Sequence, residues 1–292
     1  MSTDEKNRVE GSTLYLVGTP IGNLADMSER AKKVLSEVDF IAAEDTRNTM
    51  KLCSALGIRK ELVSYFEHNK KLSGERIVKR LISGESCALV TDAGMPAISD
   101  PGEDIVRLCA EYGICVSVIP GPCAAISALA LSAISSKRFT FEGFLPPQKG
   151  ERKKCLDALA REVRTMIFYE APHKLRATLS DMAEVFSSER RISLCRELTK
   201  LNEEVTRTTL GEAVRLYLEK EPRGEYVLIV EGASEVSGSD ADDPLLSLTP
   251  TEHVEYYIST GMKKMDAIKA VAKDRKVAKS EIYKLVISED EE

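Results

Sequence analysis

The chain has no tryptophan, only three histidines, and aromatic residues at just 5% of its 292 positions. So few rings leave little material for a base-stacking platform. Its seven cysteines (positions 53, 87, 109, 115, 123, 155 and 195) are odd in number and form no C-x-x-C pair. Most lie in apolar runs such as CALV and CVSV, which excludes a disulfide framework or zinc site and fits reduced, buried thiols. No apolar run approaches the ~20 residues of a membrane helix. The opening MSTDEKNRVEGS is too polar for a signal peptide, so a cytoplasmic protein is expected. A net charge of −6 excludes a uniformly basic coat for nucleic acid but leaves room for a local basic patch. The patterns G-x-G-x-x-G, G-x-x-x-x-G-K-[ST], G-x-S-x-G and H-E-x-x-H are all missing. Dinucleotide-binding, P-loop, hydrolase and metalloprotease readings therefore lack support, and no metal is expected.

What is present is ordinary globular material, 30% charged and 43% hydrophobic. At roughly 150 residues per domain, the length allows about two domains. Short β-branched runs read as strands at TLYLVG (13–18), DFIAAE (39–44), ELVSYF (61–66), CALVTD (87–92) and CVSVIP (115–120). Helical stretches separate them, and the apolar CAAISALALSAI follows the last. Strands spaced by single helices predict crossover units and a parallel sheet. Further strands read at 138–144, 165–171, 191–198, 203–210 and 225–233, with helices near 151–162, 174–187 and 211–220. The third of these strands runs into the fourth with no helix between, so this second sheet is partly antiparallel. The expected organisation is an N-terminal α/β domain over 13–135 and a second α/β domain over 137–233. An acidic linker over 234–244 and a small helical unit over 245–292 complete it. In that unit, Val254, Tyr257 and Ile258, then Ile268, Val271 and Ala272, then Ile282, Leu285 and Val286 share i, i+3, i+4 spacing. Each triple predicts one buried stripe on a short helix.

Glycine and proline cluster just after strands, in GTPIGN (18–23), DAGMPAISDPG (92–102) and PGPCA (120–124). Carboxyl ends of parallel strands form the ligand crevice of such sheets. Glycine lets a ligand approach the main chain, so three such loops predict a backbone-lined pocket without a phosphate cradle. In EDTR (44–47), a carboxylate pair beside Arg47 can position a polar substrate, or Asp45 or Thr46 can cap a helix. His68 lies at a strand end, His173 at a strand-to-helix turn, and His253 in the tail, where it looks exposed. LPPQKGERKK (145–154) holds four bases against one acid, with Lys137 and Arg138 upstream and Lys174 and Arg176 downstream. That cluster fits either a phosphate contact or a solvated helix start. Residues 261–284 carry eight basic residues against three acidic ones. Short helices with a basic last pair suit a helix-turn-helix gripping a nucleic acid backbone.

Taken together, GTPIGNLADMSERA, AAEDTRNT, SYFEHN, TDAGMPAISDPG, IPGPCAAISAL, RFTFEGFLPP, FYEAPHK and CRELTKLNEE, in this order, resemble the tetrapyrrole methylase family. Within it they are most similar to the group that modifies small-subunit ribosomal RNA. The resemblance covers about 13–233, and the tail looks like the helix-turn-helix appended in that group. It implies two α/β domains with S-adenosylmethionine in the cleft between them, and a homodimer. It also implies methyl transfer to the ribose 2′-oxygen of a cytidine in the decoding region of 16S rRNA. The alternatives are carbon methylation of a tetrapyrrole precursor, or a non-catalytic rRNA-binding assembly factor.

Carried over by motif, Pro20, Asp92, Ala93, Gly94, Ile98, Cys123 and Ala124 would face the cofactor from the first half. Glu170, Ala171, Leu198 and Gly224 would close the pocket from the second. Relatives commonly carry Ser or Thr where Cys123 stands, so a hydroxyl donor becomes a weak thiol donor. A ribose hydroxyl is a poor nucleophile and profits from a base, for which Asp45, His68 and Glu170 are the candidates. Arg47, Lys137, Arg138, Lys149, Arg152 and Lys153 are candidate RNA contacts, as are Lys263, Lys264, Lys273, Lys276 and Lys279 in the tail.

Overall fold

A computed structural model describes residues 8–234, 245, 248–275 and 277–288. It forms two compact units, up to Gly232 and from Ala233 onward. The linker expected over 234–244 lies, beyond residue 234, outside the described residues, as does Lys276.

The first unit begins with a five-stranded parallel sheet. Its strands are β1 (Thr13–Val17), β2 (Phe40–Ala43), β3 (Glu61–Ser64), β4 (Cys87–Val90) and β5 (Cys115–Ile119), in the order β3-β2-β4-β1-β5. β2 and β4 are buried along their whole length, which explains their unbroken apolar sequences, FIAA and CALV. Tyr15, Val17, Ile41, Ala43, Ala88 and Val90 pack on one face against α1 (Glu29–Glu37) and α2 (Thr46–Ala55). Leu14, Phe40, Ala42, Cys87 and Leu89 pack on the other against α3 (Lys70–Ile82) and α4 (Gly102–Glu111). The adjacent strands β1 and β4 thus send their following helices to opposite faces. That leaves a crevice above their carboxyl ends, the switch point at which open α/β sheets bind ligands.

The second sheet runs β6-β7-β10-β8-β9. β6 (Phe139–Phe144) is parallel to β7 (Thr165–Glu170), with a register shift between Phe141 and Gly143. β10 (Tyr226–Val230) is antiparallel to β7 and to β8 (Arg191–Arg196), and β8 pairs antiparallel with β9 (Glu204–Thr209). Helices α6 (Lys149–Leu159), α7 (Pro172–Phe186) and α8 (Leu210–Glu219) contribute to the core on one face, which includes Leu156, Leu175, Leu179, Phe186 and Tyr217. The other face, through Ile167, Cys195, Val227 and Ile229, receives α5 (Ala124–Leu131). α5 follows β5 directly, so it joins the two sheets.

The second unit is three helices, α9 (Pro250–Ser259), α10 (Lys264–Asp274) and α11 (Lys279–Ser288). A capping box at Thr249 and Glu252 starts α9. The expected stripes need correction at two places. Ile258 and Leu285 are exposed, and the core is Val254, Ala267, Ile268, Val271, Ala272, Ile282 and Val286. His253 is the second surprise, because it is 0% exposed rather than on the surface. It lies parallel to the Tyr257 ring, and its Nδ1 accepts from Arg275 Nε at 3.3 Å. The i+3, i+4 pattern missed it because a half-apolar ring can replace an aliphatic side chain when its nitrogens find partners.

Candidate active site

The loops after β1, β4 and β5 meet above the first sheet. Thr19 and Gly94 exchange backbone hydrogen bonds (2.9 and 3.2 Å), which ties the first loop to the second. Gly18 passes so close to Gly121 that an added Cβ would sit 2.7 Å from the Gly121 Cα, so this crossing needs glycine. In the second loop Ala97 and Ser99 adopt left-handed conformations (φ 66° and 68°). Each such residue costs on the order of 1–3 kcal/mol and persists only where the surroundings enforce it. The Asp100 carboxylate does so, accepting from the N–H groups of Ala97 (3.0 Å), Ile98 (3.1 Å) and Gly102 (2.7 Å).

These loops form one side of a cavity of about 590 Å³. Asp92, Ala93, Gly94, Ile98, Cys123 and Ala124 line it from the first sheet. Glu170, Ala171 and Leu198 line it from the second. Pro20 and Gly224 are not on its wall; each is the immediate neighbour of a wall residue, Ile21 and Glu225. Sequence reasoning missed Phe144, Tyr169 and Tyr226, which supply an aromatic flank, and Thr91 and Asp100, and it read Glu44 only as half of the carboxylate pair beside Arg47. The pairing of strands, not the local sequence, sets Glu44 in place. The β2–β4 register pairs Ala43 with Val90, so the next residues, Glu44 and Thr91, stand side by side at the sheet edge.

The electrostatics of the cavity are one-sided. Glu44, Asp92, Asp100, Glu170 and Glu225 line it, and among the described residues no lysine, arginine or histidine does. Burial pushes the Asp92 carboxyl above its usual range, against the hydrogen bond from Asn48, and the charges of Glu44 and Asp45 push the same way. Such a carboxylate gains from a cation beside it and would repel an anion. Burial likewise pushes the Tyr169 hydroxyl up to about 12, so Tyr169 stays neutral.

The three base candidates are not brought together. Asp45 caps α2, with Oδ1 accepting from the Arg47 N–H at 2.8 Å and both oxygens bound by the Arg47 guanidinium. Those bonds hold its carboxyl at about 2, well below a useful base, and it is off the cavity wall. His68 is exposed in the turn before α3, edge-on to Phe66, and also off the wall. Glu170 is on the wall but buried, with Oε1 accepting from the Ala171 N–H (2.8 Å) and Oε2 from the Thr178 hydroxyl (2.5 Å). One oxygen is committed to the cap of α7 and the other to its second turn, so Glu170 acts as a fixed part of the wall.

The basic candidates divide similarly. Arg152 is the clear correction. It is buried, bound to Asp181 at 2.7 Å and 2.8 Å, and its Nη1 donates to the Pro147 carbonyl at 3.0 Å. It anchors α6 to α7 and is closed to RNA. Lys153 reaches Glu184 on the surface, and Arg47 is held by Asp45. Lys137, Arg138, Lys149, Lys263, Lys264, Lys273 and Lys279 are exposed.

Residues 13–214 match the model of the Tetrapyrrole (Corrin/Porphyrin) Methylases. The chain is 48% identical over 283 residues to the ribosomal RNA small subunit methyltransferase I of Halalkalibacterium halodurans, covering 96% of each chain. It is 50% identical to that of Bacillus subtilis, over 92% of each, and 41% identical to that of Synechocystis, over 93% of this chain and 96% of the relative. Among solved structures, a uroporphyrin-III C-methyltransferase from Thermus thermophilus superimposes with a TM-score of 0.54 at 19% identity, covering 75% of this chain and 94% of its own. A cobalt precorrin-4 methyltransferase gives 0.57 at 14% identity, covering 75% and 95%. These last two likenesses establish the fold.

Proposed function

Because the chain belongs to the tetrapyrrole (corrin/porphyrin) methylase family, we propose that it is an S-adenosylmethionine-dependent methyltransferase acting on the ribose 2′-oxygen of a cytidine in the decoding region of 16S rRNA. The observation that carries the cofactor is the cavity's charge: five carboxylates and, among the described residues, no cationic side chain. When bound, S-adenosylmethionine supplies a sulfonium methyl group open to in-line displacement. A sulfonium is a fixed cation without phosphate, and these walls suit it while repelling a polycarboxylate. Tetrapyrrole precursors are polycarboxylates, so the same charge disfavours carbon methylation of such a substrate.

In this reading Asp92, Ala93, Gly94, Ile98, Cys123, Ala124, Ala171 and Leu198 hold the cofactor, and Pro20 and Gly224 set the loops beside them. The strained 95–101 loop is fixed before ligand arrives. Orientation of that kind can supply roughly 7–11 kcal/mol of the barrier. The exposed lysines of the tail, with Lys137, Arg138 and Lys149, contact rRNA phosphates. The spans 13–135 and 137–233 serve as the two halves of the cleft. We further propose a cytoplasmic homodimer. No described helix is long and apolar enough to cross a membrane. The mostly apolar α5 leaves Ile126 and Leu131 exposed, the kind of surface that a second chain covers.

The test is methyl transfer from labelled S-adenosylmethionine to small ribosomal subunits lacking this modification, followed by nucleoside analysis. Label on a cytidine 2′-oxygen is expected. Label on a base carbon, or none on either subunits or free rRNA, overturns the assignment.

A further inference from the structure

Five carboxylates line the cavity, and they differ in what is left for a substrate. Asp100 spends both oxygens on three backbone N–H groups, and Glu170 spends both on Ala171 and Thr178. Asp92 receives the Asp45 N–H on Oδ1 and the Asn48 amide on Oδ2. Glu225 is 81% exposed and its Oε2 is ion-paired with Lys200 at 2.9 Å. Glu44 is different. It is half-buried, and its Oε2 is fixed by the Thr91 hydroxyl at 2.7 Å and by the Asp92 N–H at 3.4 Å. No hydrogen bond within the described residues reaches its Oε1.

Its position adds a second, independent observation. A more open cavity of about 420 Å³ adjoins the first, and Glu44, Ser99 and Asp100 line both. The outer cavity is otherwise walled by Glu67, Pro101 and Glu103. Its carboxylates are acceptors that suit sugar hydroxyls, which donate. Glu44 therefore stands where a ribose entering from the open side meets a methyl donor held in the closed one.

We propose that Glu44 is the general base of the reaction, taking the proton from the ribose 2′-hydroxyl through Oε1. This rests on the methyl-transfer reading above. The O–H bond breaks toward the carboxylate as the oxygen's lone pair forms the O–CH3 bond. The S–CH3 bond breaks with its electron pair staying on sulfur, so cation and carboxylate become neutral thioether and carboxylic acid. The acid returns its proton to water in the open cavity. A hydrogen bond on Oε2 alone fixes the carboxylate and leaves the other oxygen as the acceptor, the arrangement a base needs within about 2.6–3.2 Å of its proton donor.

The experiment is single-turnover methyl transfer to small subunits by Glu44→Gln, with cofactor affinity by calorimetry and subunit affinity by filter binding. A rate loss of about 10²–10⁴-fold is expected, the usual contribution of a positioned base. Both affinities should stay within about threefold, a binding readout independent of turnover. The wild-type rate should fall on the acid side as the acceptor takes up its proton, and that fall should be gone in Glu44→Gln. Asp92, Asp45, Asp100, Glu67, Glu103 and Arg47 surround Glu44 and remain in both proteins, so a fall they cause would persist. A wild-type rate in Glu44→Gln, or a persisting acid-side fall, overturns the assignment. Should Glu44→Gln not bind cofactor, Glu44→Asp decides. Its carboxylate is set back by one methylene, so a slower rate with the acid-side fall retained supports the base, and a wild-type rate refutes it. If wild-type enzyme places no methyl on a 2′-oxygen, the functional reading fails and Glu44 has no proton to take.

Discussion

Breaking the Arg152–Asp181 pair should destabilise the first unit without touching RNA binding directly. The two side chains are 6% and 7% exposed and meet at 2.7 Å. Asp181→Ala would leave a buried guanidinium with only the Pro146 and Pro147 carbonyls as acceptors. Removing one partner of such a pair costs about 3–5 kcal/mol. At roughly 2–4 °C per kcal/mol for a unit of this size, the melting temperature should drop by about 6–20 °C. Replacing both partners with apolar residues of similar volume, Arg152→Met with Asp181→Leu, should recover most of that loss, because no charge is stranded. Differential scanning calorimetry of these three proteins, with Arg152→Met alone as the fourth, separates the transitions of the two units. The basic cluster around 145–154 also admitted an RNA contact at Arg152, which predicts the opposite pattern. If Arg152→Met melts like the wild type but binds small subunits several-fold more weakly, the burial argument is wrong.

Gly18→Ala should lower kcat/KM by about 10²-fold, since a 2.7 Å approach to Gly121 forces the β1 and β5 loops apart and misplacement near 1 Å costs that much; a fully active, folded variant would falsify the crossing. Truncation after residue 244 should weaken subunit binding and flatten its salt dependence, by about 0.9 in log–log slope for each duplex phosphate no longer neutralised, while cofactor affinity is kept. Equal subunit affinity with and without the tail would remove the helix-turn-helix from the account. Asp39 contributes acid-side stability. Its Oδ2 accepts from both the Ser86 hydroxyl and the Ser86 N–H at 2.7 Å, which holds its carboxyl below the usual range. A group lowered in the folded state stabilises above its unfolded value and loses that stabilisation as pH falls. Asp39→Asn should therefore destabilise at neutral pH and converge on the wild type as pH falls through and below the ordinary carboxylate range; an equal gap at both pH values would show that titration is not the cause.

Local order was legible in the sequence because it is written at short range. Unbroken apolar runs such as FIAA and CALV belong to strands covered on both faces, and the run from β8 into β9 without a helix announced the antiparallel pair. Glycine and proline marked the rim for the same reason: tight turns and close backbone approaches constrain residue type within a few positions. The eight ordered segments carried the family because each reports one such local constraint.

Tertiary structure alone decided what the charged and polar side chains do. Arg152 looks like a surface base until packing sets Asp181, 29 residues away, against it. His253 looks exposed until Tyr257 and Arg275 close over it. Glu170 sits in a suggestive motif, yet Thr178 consumes its second oxygen from α7, eight residues further along the chain. Nothing in the local sequence singles out Glu44 as a base, and only the register of β2 against β4 sets it beside Thr91 with one oxygen uncommitted. Strand and helix follow from neighbours in the chain, whereas a proton's destination follows from neighbours in space. Those are fixed only once the loops of the first sheet and the edge of the second have met around one cavity.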